Sequence, residues 1–157
     1  MDKLTTSTSE LPFNDLIRDR NQIRIPYYQR SYKWNTSQVK GLLEDIDAML
    51  EGGLEREEIP AHFMGAIIVH QPQTANNQAA PVEVIDGQQR LTTIFLALLA
   101  CIKVLADDPD HRSLAIQFIE DYILLRQAQT EGRSNLKINV SQKDCEAMNS
   151  VVHSVVD

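Results

Sequence analysis

Four polar side chains and a glycine stand together in the sequence DGQQR, which runs from Asp86 to Arg90. The segment follows a short β-branched run and precedes a long apolar run, a pattern that predicts a strand passing directly into a helix. The first turn of a helix leaves backbone N–H groups unpaired at the positive end of the helix dipole, and phosphate groups bind there. Gly87 lets the backbone turn sharply, and the forked guanidinium of Arg90 suits a phosphate. The pattern therefore predicts a phosphate-binding turn.

The other polar side chains of this segment suit chemistry on a bound nucleotide. Gln88 and Gln89 carry amides that could orient a water molecule or contact the edge of a base or sugar. Asp86 could hold a metal ion, act as a base, or simply cap the helix. The alternative interpretation is a capped helix start whose polar side chains are only solvated. The candidates at this turn are Asp86, Gln88 and Gln89 for catalysis, and Gly87, Arg90, Thr92 and Thr93 for nucleotide binding.

A second group of candidates lies in IPYYQRSYKW, residues 25–34, which holds four of the nine aromatic residues of the chain. Cations interleaved with aromatic rings could bind phosphate and stack on a base. The alternative is that the rings pack in the core and the cations are solvated. We predict that Tyr28, Gln29 and Arg30 form the wall opposite the phosphate-binding turn. We predict contacts to a base or to DNA for Tyr32, Lys33 and Trp34.

Metal binding has weaker support in the sequence. The run 36–51 predicts a helix that begins with a capping box of Asn35 and Gln38 and is ended by Gly52-Gly53. Its acidic residues most simply form a solvated face, but Asp45 sits at the edge of the apolar stripe. Asp45 and Asp86 are the candidate Mg²⁺ ligands. The chain lacks a Walker A loop, a Rossmann glycine triplet, an HExxH motif and a Ser-His-Asp signature.

Hydrophobic periodicity predicts the elements that position these residues. A strand at 82–85 leads into DGQQR, and 89–106 form a helix that is apolar almost all the way round. Such a helix belongs in a core, being short for a bilayer, and Cys101 is expected among its core residues. The run 63–70 predicts a strand buried on both faces that pairs with 82–85 as a long-looped hairpin. The remaining predicted elements are a helix near 11–18, a strand at 22–25, a helix at 111–126, a weak strand at 136–140 and a last helix from 141.

Length and composition predict one ordinary globular domain. The chain has 157 residues, 43% of them hydrophobic, a formal net charge of −7 and two cysteines that make no disulfide framework. The N-terminus lacks the apolar core of a signal peptide, so we expect a cytoplasmic protein. We predict a disordered leader over 1–10 and a domain over 11–157. Because an apolar helical period runs to the last residue without a stop signal, we also predict that this is the N-terminal part of a longer protein.

The net charge argues against a uniformly basic nucleic-acid-binding surface, but it is an average of two unlike stretches. Residues 18–40 contain six basic side chains and one acidic one. Residues 41–62 contain seven acidic side chains and one basic one. A local basic cleft is therefore compatible with the acidic composition.

Four segments in order, IPYYQRSYKW, LLEDI, HFMGAIIV and VIDGQQRLTT, resemble the N-terminal domain family of GmrSD-type, modification-dependent restriction enzymes. The resemblance extends from about Leu11 to the LKINVSQKD segment. It implies an α+β fold with a ParB/sulfiredoxin-like core, a small mixed sheet flanked by helices. In that wider group a Gly-x-x-Arg turn at a helix N-terminus binds nucleotide phosphates, and the matching residues here are Gly87 to Arg90.

The resemblance implies a nucleoside-triphosphate-binding and hydrolysing domain, with Mg²⁺, in a bacterial defence system against phage or foreign DNA. It implies further partners, namely modified DNA and a C-terminal helical and HNH-type nuclease region that these residues do not contain. Oligomers are compatible with it, and no membrane is implied. Three alternatives stay open: a module that senses modified DNA, the nuclease domain itself, and a pure interaction domain.

Overall fold

A computed structural model of the chain describes residues 12–18, 22–54, 65–70, 81–125, 136–141 and 143–156. The predicted leader over 1–10 lies outside the described residues. The elements in chain order are α1 (Phe13–Arg18), β1 (Ile23–Arg24), α2 (Thr36–Leu54), β2 (Ile68–His70), β3 (Val82–Asp86), α3 (Gln88–Asp107), α4 (Arg112–Phe118) with a π-helical turn (Ile119–Ile123), β4 (Ile138–Asn139) and α5 (Cys145–Val156).

The strands form one mixed sheet in the order β2-β3-β1-β4. β1 pairs in parallel with β3 and with β4, whereas β2 pairs antiparallel with β3. The predicted α+β class, with a small mixed sheet flanked by helices, is confirmed, and so is the predicted pairing of the two hairpin strands. Because β1, β3 and β4 run in the same direction, their carboxyl ends meet at one edge of the sheet, where open α/β sheets bind ligands.

The core lies between one face of this sheet and α3. Val84 of β3 and Phe95 of α3 are completely buried. They belong to one cluster with Ile23 of β1, Ile138 of β4 and Met148 of α5. By length and composition alone α3 could cross a membrane. In this fold its inner face is instead the centre of the core, as predicted.

Two predictions about α3 and β2 are wrong in detail. β2 is not buried on both faces: Ile68 is 54% exposed and Val69 is 41% exposed, because β2 is an edge strand of the sheet. Cys101 is exposed rather than in the core. It lies on the outer face of α3, where Val104 is also exposed. A helix that is apolar all round does not itself show which side meets the sheet.

The helices also differ from their predicted ends. The capping box of α2 is confirmed, since Asn35 and Gln38 exchange side-chain-to-backbone hydrogen bonds of 3.1 Å. The helix passes through Gly52 and Gly53 to Leu54, because a glycine inside a helix costs only about 1 kcal/mol. The predicted helix at 111–126 changes at Ile119 into a π-helical turn that ends at Ile123.

Candidate functional site

Three chain segments converge at the carboxyl edge of the parallel strands. Beyond β1 comes the 25–34 segment, beyond β3 the DGQQR turn of residues 86–90, and beyond β4 residues 140–141 and 143–144, which precede α5. Side-chain hydrogen bonds join the 25–34 segment to both of the other two. The fold therefore brings the two groups of candidates from the sequence into one place, and it adds a third segment.

The DGQQR turn has the backbone of an anion site. Gly87 is the residue before α3 and has a left-handed conformation, with φ 89°. A Cβ there would lie 3.1–3.2 Å from the side chain and backbone of Ile67 and from the Ala66 carbonyl, so glycine fits best. The first hydrogen bond of the helix runs from the Leu91 N–H to the Gly87 carbonyl. The N–H groups of residues 88–90 precede that bond and point out of the helix end, where an anion is favoured.

Asp86 does not cap α3. One carboxylate oxygen of Asp86 accepts a hydrogen bond of 2.7 Å from the Gly87 N–H, and α3 has no side-chain cap. The Asp86 side chain is exposed at the end of β3. Its second oxygen is therefore free to face solvent or a ligand beside the turn.

Arg90 packs against a glycine that the sequence did not identify as a site residue. Gly65 has φ +94°, and a Cβ on it would overlap the Arg90 guanidinium. Arg90 is half-buried, and no carboxylate of the described residues lies within ion-pair distance of it. A half-buried guanidinium without a protein carboxylate favours an anionic ligand. The signal for Gly65 was its place in HFMGAIIV, one of the segments that carry the resemblance.

The amide of Gln89 binds the backbone of the 25–34 segment with both of its groups. Its oxygen accepts hydrogen bonds from the Lys33 N–H, at 2.6 Å, and from the Trp34 N–H, at 3.3 Å. Its nitrogen donates to the Ser31 carbonyl at 3.3 Å. Gln89 is only 7% exposed. In this structure the side chain holds the segment against the start of α3.

Gln88 is equally buried but keeps one group unpaired. Its amide nitrogen donates to the Arg30 carbonyl at 3.2 Å. Among the described residues, no group donates a hydrogen bond to its buried Oε1. An unpaired buried acceptor costs about 1–3 kcal/mol. Of the two glutamines, Gln88 is thus the one whose oxygen can still accept a hydrogen bond.

The two threonines that follow the turn, in α3, are buried in the protein. Thr92 is 6% exposed and Thr93 is 3% exposed. The Thr93 hydroxyl donates to the Gln89 carbonyl at 2.8 Å and lies 2.9 Å from the Tyr32 hydroxyl. The Thr93 hydroxyl therefore links α3 to the 25–34 segment.

The third segment contributes Ser141 and Asp144. One Asp144 oxygen accepts hydrogen bonds from the Tyr32 N–H, at 2.9 Å, and from the Ser141 hydroxyl, at 2.7 Å. The sequence marks these two residues as the start of the last helix. Nothing in their spacing shows that Asp144 also holds residue 32, which is 112 positions away.

The start of the 25–34 segment behaves differently from its end. Tyr27 is 83% exposed and Tyr28 is 62% exposed, so these rings do not pack in the core. Their ring centroids are 5.7 Å apart in an edge-to-face arrangement. The Gln29 amide donates to the Ile85 carbonyl at 2.9 Å. The side chains of Arg30 and Lys33 are exposed, and those of Tyr32 and Trp34 are half-buried.

The predicted metal ligands do not form a preassembled site. The part of the chain that the structure describes has no group of three or more His, Cys, Asp or Glu residues that could hold a metal ion. Asp45 is exposed on α2, and Asp86 is exposed at the end of β3. Mg²⁺ bound together with a nucleotide needs only one or two protein carboxylates, since phosphates and waters supply the other ligands. A role for Asp86 and Asp45 with Mg²⁺ stays a prediction.

Comparison with known protein families identifies the chain. Residues 13–155 match the model of the GmrSD restriction endonuclease N-terminal domain. No curated protein matches the chain significantly. Because the match covers nearly the whole sequence, the chain belongs to the family of GmrSD restriction endonuclease N-terminal domains. It is thus a component of a restriction endonuclease system, whose macromolecular partner is DNA.

Proposed function

We propose that this domain binds a nucleoside triphosphate at the DGQQR turn and so regulates a restriction system that acts on modified or foreign DNA in the bacterial cytoplasm. The observation that carries the proposal is the meeting of the α3 N-terminus, the left-handed Gly87 and the half-buried Arg90 at one edge of the sheet. In this arrangement Gly65 lets the Arg90 guanidinium pack against the backbone, and Gly87 lets the turn pack closely against Ile67. The fold thus offers an anion both backbone donors and a cation.

The residues present fit a nucleotide in distinct roles. The N–H groups of residues 88–90 would hold one phosphate and the Arg90 guanidinium another. Arg30 is exposed next to the Gln88 contact and would approach the phosphates from the other wall. Mg²⁺ bound with the phosphates would neutralise part of their charge, and the exposed oxygen of Asp86 would be its protein ligand.

If the triphosphate is hydrolysed, Gln88 and Gln89 would have different roles. Gln88 Oε1 has no described donor, so it would accept a hydrogen bond from the attacking water and orient it. Where the free oxygen of Asp86 does not bind Mg²⁺, it is the nearby candidate for accepting the proton from that water. Gln89 would act at a distance from the reaction, by holding the 25–34 segment in place. Phosphate release should then fall more in Gln88→Leu than nucleotide binding does.

Thermal shift with a panel of triphosphates and Mg²⁺ tests binding. A ligand at 100 times its Kd stabilises a protein by about 2.7 kcal/mol, about 5–10 °C in Tm at this size. We expect a shift of this order for wild type and a much smaller one for Arg90→Ala. Arg112→Ala, an exposed arginine on α4, is the matched control and should keep the full shift. Equal shifts in Arg90→Ala and wild type would remove Arg90 from the site and contradict the proposal.

A direct contact with DNA is the second candidate function, favoured by the family and by the exposed Arg30 and Lys33 side chains. Lys33 would contact the DNA backbone, and Tyr32 and Trp34 would contact a base. Salt-dependent binding to modified but not to plain DNA, lost in Lys33→Ala, would support it. Metal-dependent cleavage by this domain alone would instead identify it as the nuclease. The proposal above leaves cleavage to an HNH-type nuclease region elsewhere in the system.

A further inference from the structure

A second concave surface lies on the opposite face of the sheet from α3. It is a groove of about 420 Å³, lined by residues of β1, β3 and β4 and by the starts of the 25–34 segment and α5. Its polar floor consists of Arg24, Glu83 and Asn139, and its aromatic wall of Tyr27 and Tyr28. Arg24 is the register partner of both Glu83 and Asn139, so the three side chains stand side by side on one face.

These three polar side chains are not used by the fold. The described part of the chain shows no side-chain hydrogen bond or ion pair for Arg24, Glu83 or Asn139. Arg24 and Glu83 are adjacent opposite charges, yet no ion pair joins them within 4 Å. All three are half-buried. A row that combines a forked donor, a carboxylate acceptor and an amide is arranged to bind a planar ligand with donors and acceptors of its own.

The aromatic wall favours a ring as that ligand. Tyr27 and Tyr28 expose most of their ring surface beside the polar row. An exposed tyrosine face is a stacking surface for a nucleobase. The groove therefore has the two parts of a base-binding site, one for the face of the base and one for its edge.

We infer that the groove binds a guanine base and that Arg24 and Glu83 recognise it. Guanine presents two adjacent acceptors, O6 and N7, which suit a bidentate arginine. Its N1–H and N2–H₂ groups are adjacent donors, which suit a carboxylate. Adenine presents an acceptor at N1, which the Glu83 carboxylate would repel. Asn139 can donate to O6 or accept from an amino group, so it fits the same edge.

The groove and the DGQQR turn are within reach of one nucleotide, so this inference rests on the proposed function. Glu83 and Asp86 are in the same strand, three residues apart, which is about 10 Å at the usual rise of a strand. Tyr28 lies in the groove, and the next residue, Gln29, binds the Ile85 carbonyl just before the turn. A nucleoside triphosphate with its phosphates at the α3 N-terminus and its base in the groove would have to extend around this edge of the sheet.

Three triphosphates test the inference by calorimetric titration with Mg²⁺: those of guanosine, inosine and adenosine. Inosine lacks only the 2-amino group, so it isolates one hydrogen bond to Glu83. We expect wild type to bind the guanosine nucleotide about tenfold more tightly than either of the others. In Glu83→Gln the preference over inosine should fall to about twofold or less. Glu120→Gln, an exposed residue on the π-helical turn, should keep the full preference.

Cysteine alkylation locates the base independently. Cys145 lines the groove, whereas Cys101 is exposed on α3, and the chain has no other cysteine. Guanosine triphosphate should slow alkylation of Cys145 and leave that of Cys101 unchanged. Binding without base preference, or without protection of Cys145, would overturn the groove assignment and leave the phosphate site standing. No binding of any triphosphate would overturn the phosphate site as well.

Discussion

The two halves of the 25–34 segment both contain tyrosine but have opposite surroundings. The residues Ser31–Trp34, which we call the anchored half, are tied to Gln89, Thr93 and Asp144 by hydrogen bonds. The residues Tyr27 and Tyr28, the exposed half, contact mainly each other and solvent. Tyrosine occurs in both halves, so this residue type alone does not separate them.

The difference shows that the anchored half fixes the path of the segment against α3 and α5. The exposed half is available to a ligand. Every bond of the anchored half uses a backbone group or the Tyr32 hydroxyl. Such bonds fix the path of the chain, whatever the side chains of Lys33 and Trp34 contact. Loss of the side chains that bind this backbone, above all Gln89 and Asp144, should therefore act on stability first. Changes in the exposed half should act on binding without a cost in stability.

The largest effect on stability is expected for Gln89→Ala. The variant leaves the Lys33 and Trp34 N–H groups and the Ser31 carbonyl without their partner, a loss of about 2–3 kcal/mol. For a domain of this size that lowers Tm by about 5–10 °C. Gln117→Ala, an exposed glutamine on α4, is the control and should stay within about 1 °C of wild type. A Gln89→Ala protein as stable as this control would show that Gln89 does not hold the segment.

Gly65→Ala tests the space that Arg90 needs. The positive φ of residue 65 destabilises the alanine variant by about 1–2 kcal/mol. The new Cβ also forces the Arg90 guanidinium to move. We expect a lower Tm together with weakened nucleotide binding. Gly52→Ala is the matched control, because that glycine is helical with nothing within 4 Å of a Cβ, and alanine there should raise stability by about 0.5–1 kcal/mol. Unchanged binding in Gly65→Ala would mean that the position of Arg90 is unimportant.

A smaller effect is expected for Asp144→Ala, which removes the contact between α5 and the anchored half. The Tyr32 N–H and the Ser141 hydroxyl each lose an acceptor. Residue 32 is half-buried, so its N–H can be rehydrated, whereas Ser141 is buried. We expect a loss of about 1–2 kcal/mol by urea unfolding. Asp47→Ala, an exposed residue of α2, should be neutral. If the two aspartate variants unfold at the same urea concentration, the third segment does not support the site.

The smallest effect on stability is expected for Tyr27→Ala. This ring is 83% exposed, so its loss should change the free energy of unfolding by less than about 0.5 kcal/mol. Nucleotide affinity should nevertheless fall, by about tenfold if a base stacks on the ring. A marked fall in Tm would show that Tyr27 stabilises the fold as the anchored half does. It would contradict the distinction between the two halves.

The parts of the site that the sequence predicts are those written in short stretches. Asp86 to Arg90 lies between a β-branched run and an apolar helix, so both the turn and its position follow from local pattern. The capping box of Asn35 and Gln38 is local in the same way. These features need no knowledge of distant residues.

The parts that the sequence does not predict depend on distant contacts. Asp144 meets residue 32 across 112 positions, and Gly65 meets Arg90 only because β2 pairs with β3. The exposure of Cys101 and of β2 likewise depends on which surfaces the sheet leaves uncovered. Hydrophobic periodicity predicts an element but not the elements that it packs against. The roles of these residues are therefore seen only in the folded chain.

Amide NMR spectra during titration with a triphosphate and Mg²⁺ test the central claim most directly. The N–H groups of residues 88–90 should shift strongly in wild type, because they would donate to phosphate oxygens. In Arg90→Ala, at the same nucleotide concentration, these shifts should be largely lost, while amides of α4 stay unchanged in both proteins. Strong shifts that leave residues 88–90 unaffected, or no shifts at all, would contradict nucleotide binding at the DGQQR turn.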